Sequence, residues 1–136
     1  MRTLRLTYIG LAWIFLACVV IQFFLAGLGV FVGAAQFEVH RGFGYLFGWL
    51  TVIMLVVALA GRLGRRWVLL PAVLLVLFFM QSVFVLLRDD YPFFAALHPV
   101  NGLLIFAIAM HVATRSRVLA APAAAQPAVA AEISRA

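Results

Sequence analysis

The chain has 136 residues, of which 68% are hydrophobic and 10% charged, with a mean hydropathy of +1.20. A soluble domain of this length needs more polar cover, so composition excludes an ordinary soluble enzyme and a disordered chain. The net charge of +6 comes from ten arginines in short clusters between long apolar runs, a pattern that writes membrane topology and argues against nucleic-acid binding.

A membrane helix needs ~20 mostly apolar residues to cross a core of ~30 Å. The first candidate has no formal charge from Leu6 to Phe37, with its core over residues 8–31. That run is too long for a secretory signal, so it is read as a retained span. The second span is predicted over residues 42–61, with Gln36 as an alternative start, and the third over 67–87. The fourth is predicted over residues 92–114. A start at Pro99 would leave it ~24 Å long, so it is drawn from Pro92, with Asp89 or Asp90 as cap and Pro99 as an internal kink. Residues 1–117 thus form one four-span domain. Residues 118–136, rich in Ala and interrupted by Pro122 and Pro127, are expected to be a flexible cytoplasmic tail. Arg41 and Arg88 fall on one side of the membrane and the other eight arginines on the opposite side, which places both termini in the cytoplasm of a bacterial plasma membrane. Short loops make neighbouring helices antiparallel. The expected fold is all-α, a transmembrane up-down four-helix bundle in contact with the lipid bilayer. Cys18 stands alone in the first span, and no C-x-x-C-H motif for covalent haem attachment is present.

Polar residues inside the spans are few, and they repeat. Gln22 and Gln81 lie 59 residues apart, and His40 and His98 lie 58 apart. Each His is followed by Gly at i+4, Gly44 in one case and Gly102 in the other. One two-helix hairpin is written twice, which predicts a pseudo-twofold axis along the membrane normal. Helix rise puts His98 ~25 Å above Arg115 and His40 ~33 Å above Arg62, a mismatch of ~8 Å for tilt or a kink to absorb.

Two imidazoles at one level of a bundle match axial ligation of a b-type haem. On that reading His40 and His98 are the iron ligands. Gly44 and Gly102, with Gly48, clear space for the macrocycle edge. Gln22 and Gln81 are hydrogen-bond partners of the imidazoles, and Arg41 and Arg88 face the propionates. The protein would carry electrons, with a quinone or a redox protein as partner. Each residue also has a plainer role: interfacial His, Gly-mediated helix packing, Gln bonds across helices, and ion pairs of Arg41 with Glu38 and of Arg88 with Asp89 or Asp90. These add up to a cofactor-free structural or accessory membrane protein. A proton conduit through Glu38, His40 and His98 is disfavoured, because the inner half offers few polar steps beyond Thr51 and His111. His111, ~140° around the helix from His98, and Met54 are not expected to hold a second haem. No Ser/His/Asp set, P-loop or dinucleotide fingerprint is present, which argues against a hydrolytic enzyme.

Three stretches carry a resemblance: Gln22 to Gly29, Phe37 to Arg41, and Leu97 to Gly102, the last reading His-Pro-Val-Asn-Gly from His98. They resemble a domain-of-unknown-function family of small four-span bacterial membrane proteins. That likeness implies fold and topology and leaves activity open. More loosely, Glu38, His40, Arg41 and His98 resemble one four-helix half of haem A synthase, which carries haem-ligating His on the second and fourth helices of each half. Here Glu and His are two residues apart where that family has three, and only one half is present, so the synthase reaction is not carried over.

Overall fold

The computed structural model describes residues 1–121 and 125–135; Pro122, one of the two expected interruptions of the tail, lies outside the described residues. The chain runs through α1 (Arg2–Phe31), a 3-10 turn (Ala34–Gln36), α2 (Phe37–Ala60), α3 (Arg65–Leu86), a one-turn α4 (Pro92–Ala95), α5 (Leu97–Arg115), a second 3-10 turn (Ser116–Ala120) and α6 (Gln126–Arg135). There is no strand among the described residues. Four segments are long and apolar enough to cross a membrane: Arg2–Phe31, Ala34–Ala60, Arg65–Leu86 and Pro92–Ala120.

α1 packs against α2 and α5, and α3 packs against the same two helices. The diagonal pairs, α1 with α3 and α2 with α5, meet only through their side chains. This is the square section of an up-down four-helix bundle, as the short loops predict.

The turn between α2 and α3 shows how the chain reverses. Leu63 N–H donates to the Ala58 carbonyl and Arg62 N–H to that of Leu59, both at 3.1 Å. This is the Schellman pattern that satisfies the last carbonyls of a helix. Arg62 takes the left-handed position at φ 47°, a place more often held by Gly.

The fourth span departs from expectation. It is not one helix kinked at Pro99. It breaks at Ala96, so Pro99 falls in the first turn of α5, where its missing N–H leaves no helical bond unmade. Tyr91, not Asp89 or Asp90, is the N-cap residue of α4, with Pro92 at the first helical position. α2 begins earlier than residue 42, at Phe37, which carries His40 into its first turn. Pro127 stands at the second position of α6, where the first turn tolerates proline.

Core packing is concentrated at the arginine-rich end. Buried apolar residues run from Tyr8 to Val19 on α1, from Phe47 to Ala58 on α2, from Trp67 to Leu74 on α3 and from Ile105 to Ala113 on α5. Pro71 lies inside α3 and cannot donate to the carbonyl of Trp67 one turn earlier. The hydroxyl of Tyr8 fills that vacancy, donating to Trp67 O at 3.1 Å, and the two rings meet edge-on. Above this level Phe15, Phe47 and Phe78 form a three-ring cluster with centroids 5.1–5.7 Å apart. Beyond the cluster, toward the end bearing the histidines, the helices border a half-open cavity.

Candidate functional site: a histidine pair in a cavity at one end of the bundle

Gln22 lies on α1 and His40 in the first turn of α2; Gln81 lies near the end of α3 and His98 in the first turn of α5. Antiparallel pairing within each hairpin brings each Gln to its His. His40 Nδ1 is 3.1 Å from the backbone oxygen of Gln22, and His98 Nδ1 is 3.2 Å from that of Gln81. A carbonyl oxygen can only accept, so both Nδ1 atoms carry the proton. Both Nε2 atoms then hold a lone pair. The doubled hairpin of the sequence is therefore a doubled hydrogen bond in the structure.

The two rings come together although their helices are diagonal. The His40 and His98 centroids stand 6.2 Å apart, with the planes inclined by 60°. The ~8 Å height mismatch expected from helix rise assumed that Arg62 and Arg115 mark one level, whereas the fourth span runs on past Arg115 through the second 3-10 turn to Ala120. His40 also meets the ring of Phe37 edge-on at 6.3 Å.

The hairpins differ in their glutamine side chains. Gln22 Nε2 donates to the His40 backbone oxygen at 2.8 Å and lies 3.3 Å from His40 Nε2, while Gln22 Oε1 is buried with no partner. Gln81 Oε1 accepts from Asn101 Nδ2 at 3.0 Å, and the same nitrogen donates to Leu77 O at 2.8 Å. Asn101 is 8% exposed. It belongs to the His-Pro-Val-Asn-Gly stretch, where spacing alone assigns it no role. Its signal was a polar side chain one turn after His98, inside a span.

The cavity has a volume of about 1230 Å³. Gln22, His40, Arg41 and Gly44 line it from the first hairpin, and Gln81, Arg88, His98 and Gly102 from the second, so all eight candidate residues share one space. Phe47 and Phe78 form its apolar floor. The glycines are partly spoken for. A Cβ on Gly44 would come 2.8 Å from Gln22 Nε2, so the room there holds the Gln22 amide. A Cβ on Gly102 would lie 3.4 Å from Gln81 Nε2, an ordinary contact, and one on Gly48 would press Phe78 at 3.1 Å.

At the rim, Arg41 pairs with Glu38, and Arg88 Nε lies 3.5 Å from Asp89 Oδ1. Both pairs are mostly solvent-exposed, so the guanidinium groups are weakly held. His111 is remote from this cluster: its Nε2 accepts from Arg66 Nη2 at 2.8 Å at the opposite end. Met54 is fully buried in the core. No group of three or more His, Cys, Asp or Glu side chains able to hold a metal ion occurs among the described residues.

No curated protein matches the chain, and no solved structure matches it. A family model does match, over residues 22–87, a stretch that holds Gln22, His40 and Gln81 and stops short of His98. Across that segment the chain resembles a family of unknown function (DUF6220), and its four membrane-length helices make it a small multi-span membrane protein.

Proposed function

We propose that the outer-half cavity holds a b-type haem between His40 and His98, and that this membrane protein passes single electrons. The observation that carries the reading is the spacing of the rings. His40 and His98 line one cavity with ring centres 6.2 Å apart, and these two imidazoles would hold the iron. Both Nδ1 protons are tied to backbone oxygens, so both Nε2 atoms carry a lone pair; that of His98 is free, and that of His40 faces the Gln22 amide at 3.3 Å, which would turn away when iron binds.

The donor set favours this cofactor over a bare metal ion. Two imidazoles are too few for a closed zinc site, whereas a macrocycle brings its own equatorial nitrogens. The buried Gln22 Oε1, without a partner, is an acceptor still to be met. Arg41 and Arg88, loosely paired at the rim, are available to carboxylate groups entering from that end. When bound, haem supplies a one-electron couple. The chain's own part is to hold the ring nitrogens, keep water out with the Phe15, Phe47 and Phe78 cluster, and neutralise carboxylates at the mouth. The positive-inside rule places the arginine-rich end in the bacterial cytoplasm and the histidines toward the outer face. A quinone in the bilayer or a redox protein at that face would be the electron partner.

A second reading is favoured by the bonds between Gln22 and His40, which by themselves clasp α1 to α2. On it, the protein is a cofactor-free accessory of a larger membrane complex.

The test is the reduced-minus-oxidised absorption spectrum of protein purified in detergent from haem-replete cells. Sharp bands lost in both His40→Ala and His98→Ala are expected. Colourless wild-type protein that takes up no added haemin overturns the cofactor and leaves the accessory reading.

A further inference from the structure

The opposite end of the bundle carries charge that the chain does not balance. Apart from Arg41 and Arg88 every arginine lies there, and Glu132 is the one acid on that side. The ion pairs found among the described residues, Arg41 with Glu38 and Arg88 with Asp89, are both at the histidine end. Two arginines at the charged end lean on neutral groups instead. Arg66 lies 4.9 Å from the Trp67 ring centre and donates to His111, and Arg117 lies 5.1 Å from the ring centre of Trp13.

Arg5 has no such substitute. Its Nε is buried and makes no hydrogen bond among the described residues. A buried guanidinium nitrogen without an acceptor is costly, so the Arg5 side chain gains by turning toward an acceptor in the cavity beside it. Arg5 and Arg2 line a cavity of about 500 Å³, closed on its other side by Leu119 and Ala120 of the second 3-10 turn. Depth points to the source of the acceptor. The 30 residues of α1 span about 45 Å, against an apolar core of about 30 Å and a full bilayer of about 40–45 Å. With α1 centred, Arg5 stands about 17 Å from the midplane, among the headgroups.

We propose that this cavity is a phosphate site, filled by the headgroup of an anionic phospholipid from the leaflet at the arginine-rich end. Arg5 and Arg2, which both line the cavity, meet the phosphate with their guanidinium groups. Planar, charge-assisted donation of this kind is what guanidinium offers a phosphate oxygen. Leu119 and Ala120 give the glycerol backbone an apolar wall. The site lies at the other end of the bundle from the histidines and is independent of any haem.

The test uses the full chain in a neutral detergent at fixed ionic strength, with dioleoyl phosphatidylglycerol, dioleoyl phosphatidylcholine or inorganic phosphate added separately. Thermal unfolding and native mass spectrometry are the readouts. Phosphatidylglycerol is expected to raise the unfolding temperature and to stay bound, and Arg5→Gln to weaken its retention about tenfold. Arg62→Gln, on an exposed residue outside the cavity, is expected to change little. Arg2→Gln, also exposed, gives the same direction of change as Arg5→Gln with no burden on folding. An Arg5-dependent shift with inorganic phosphate also supports the site and names soluble phosphate as its source. Equal lipid retention in Arg5→Gln, Arg2→Gln and Arg62→Gln overturns the proposal, as does stabilisation by phosphatidylcholine equal to that by phosphatidylglycerol.

Discussion

His40 and His98 stand 6.2 Å apart, centre to centre, on α2 and α5, two diagonal helices whose backbones do not touch. Each ring is aimed by a backbone oxygen of the neighbouring helix in its own hairpin, Gln22 for one and Gln81 for the other. Aim therefore depends on main chain, and glutamine side-chain identity matters less than helix register.

If haem bridges these rings, deleting one imidazole leaves a hole of known chemistry. His98→Ala is expected to lose the low-spin difference spectrum, and millimolar free imidazole to restore it. The same rescue is expected for His40→Ala. Spectra that return with imidazole in neither variant would count against axial ligation at these positions.

Gly44 and Gly42 form a matched pair for testing the clasp. A Cβ at Gly44 would meet Gln22 Nε2 at 2.8 Å, whereas one at Gly42 meets nothing within 4 Å. Gly44→Ala is expected to destabilise by about 1–2 kcal/mol through the lost interhelical bonds, and Gly42→Ala to be neutral. Unfolding in mixed micelles measures both, and equal effects would remove the clasp as the reason for Gly44.

Asn101 ties α5 to α3 through two acceptors, Leu77 O and Gln81 Oε1. Asn101→Ala leaves both without that donor and is expected to cost about 1–2 kcal/mol. Gln81→Ala, which removes one acceptor and keeps the Leu77 bond, is expected to cost less. The reverse ranking, read in the same unfolding assay, would contradict the network as described.

Tyr8 and Pro71 make a coupled pair. The Tyr8 hydroxyl serves the Trp67 carbonyl because Pro71 has no N–H to offer it. Tyr8→Phe is expected to cost about 0.5–1.5 kcal/mol in the native sequence. In a Pro71→Ala background, a restored N–H at residue 71 takes over the carbonyl and the cost shrinks. A double-mutant cycle with no coupling would show that the hydroxyl is not answering the proline.

Hydropathy and charge by themselves determined that this chain has four membrane-length helices in alternating direction, because ~20 apolar residues between charged ends have few other uses. The recurrence of Gln and His at matching offsets also disclosed that one hairpin occurs twice. Tertiary structure decided the rest. The fourth span runs on past Arg115 to Ala120, so the arginines that close the two hairpins are not level marks, and only the packed bundle shows that the two imidazoles meet. That the amide of Gln22 fills the space over Gly44 is likewise a fact of packing, as is the place of Asn101 between two acceptors. Spacing along a chain states which residues share a face; how far apart two faces stand is set by everything packed between them.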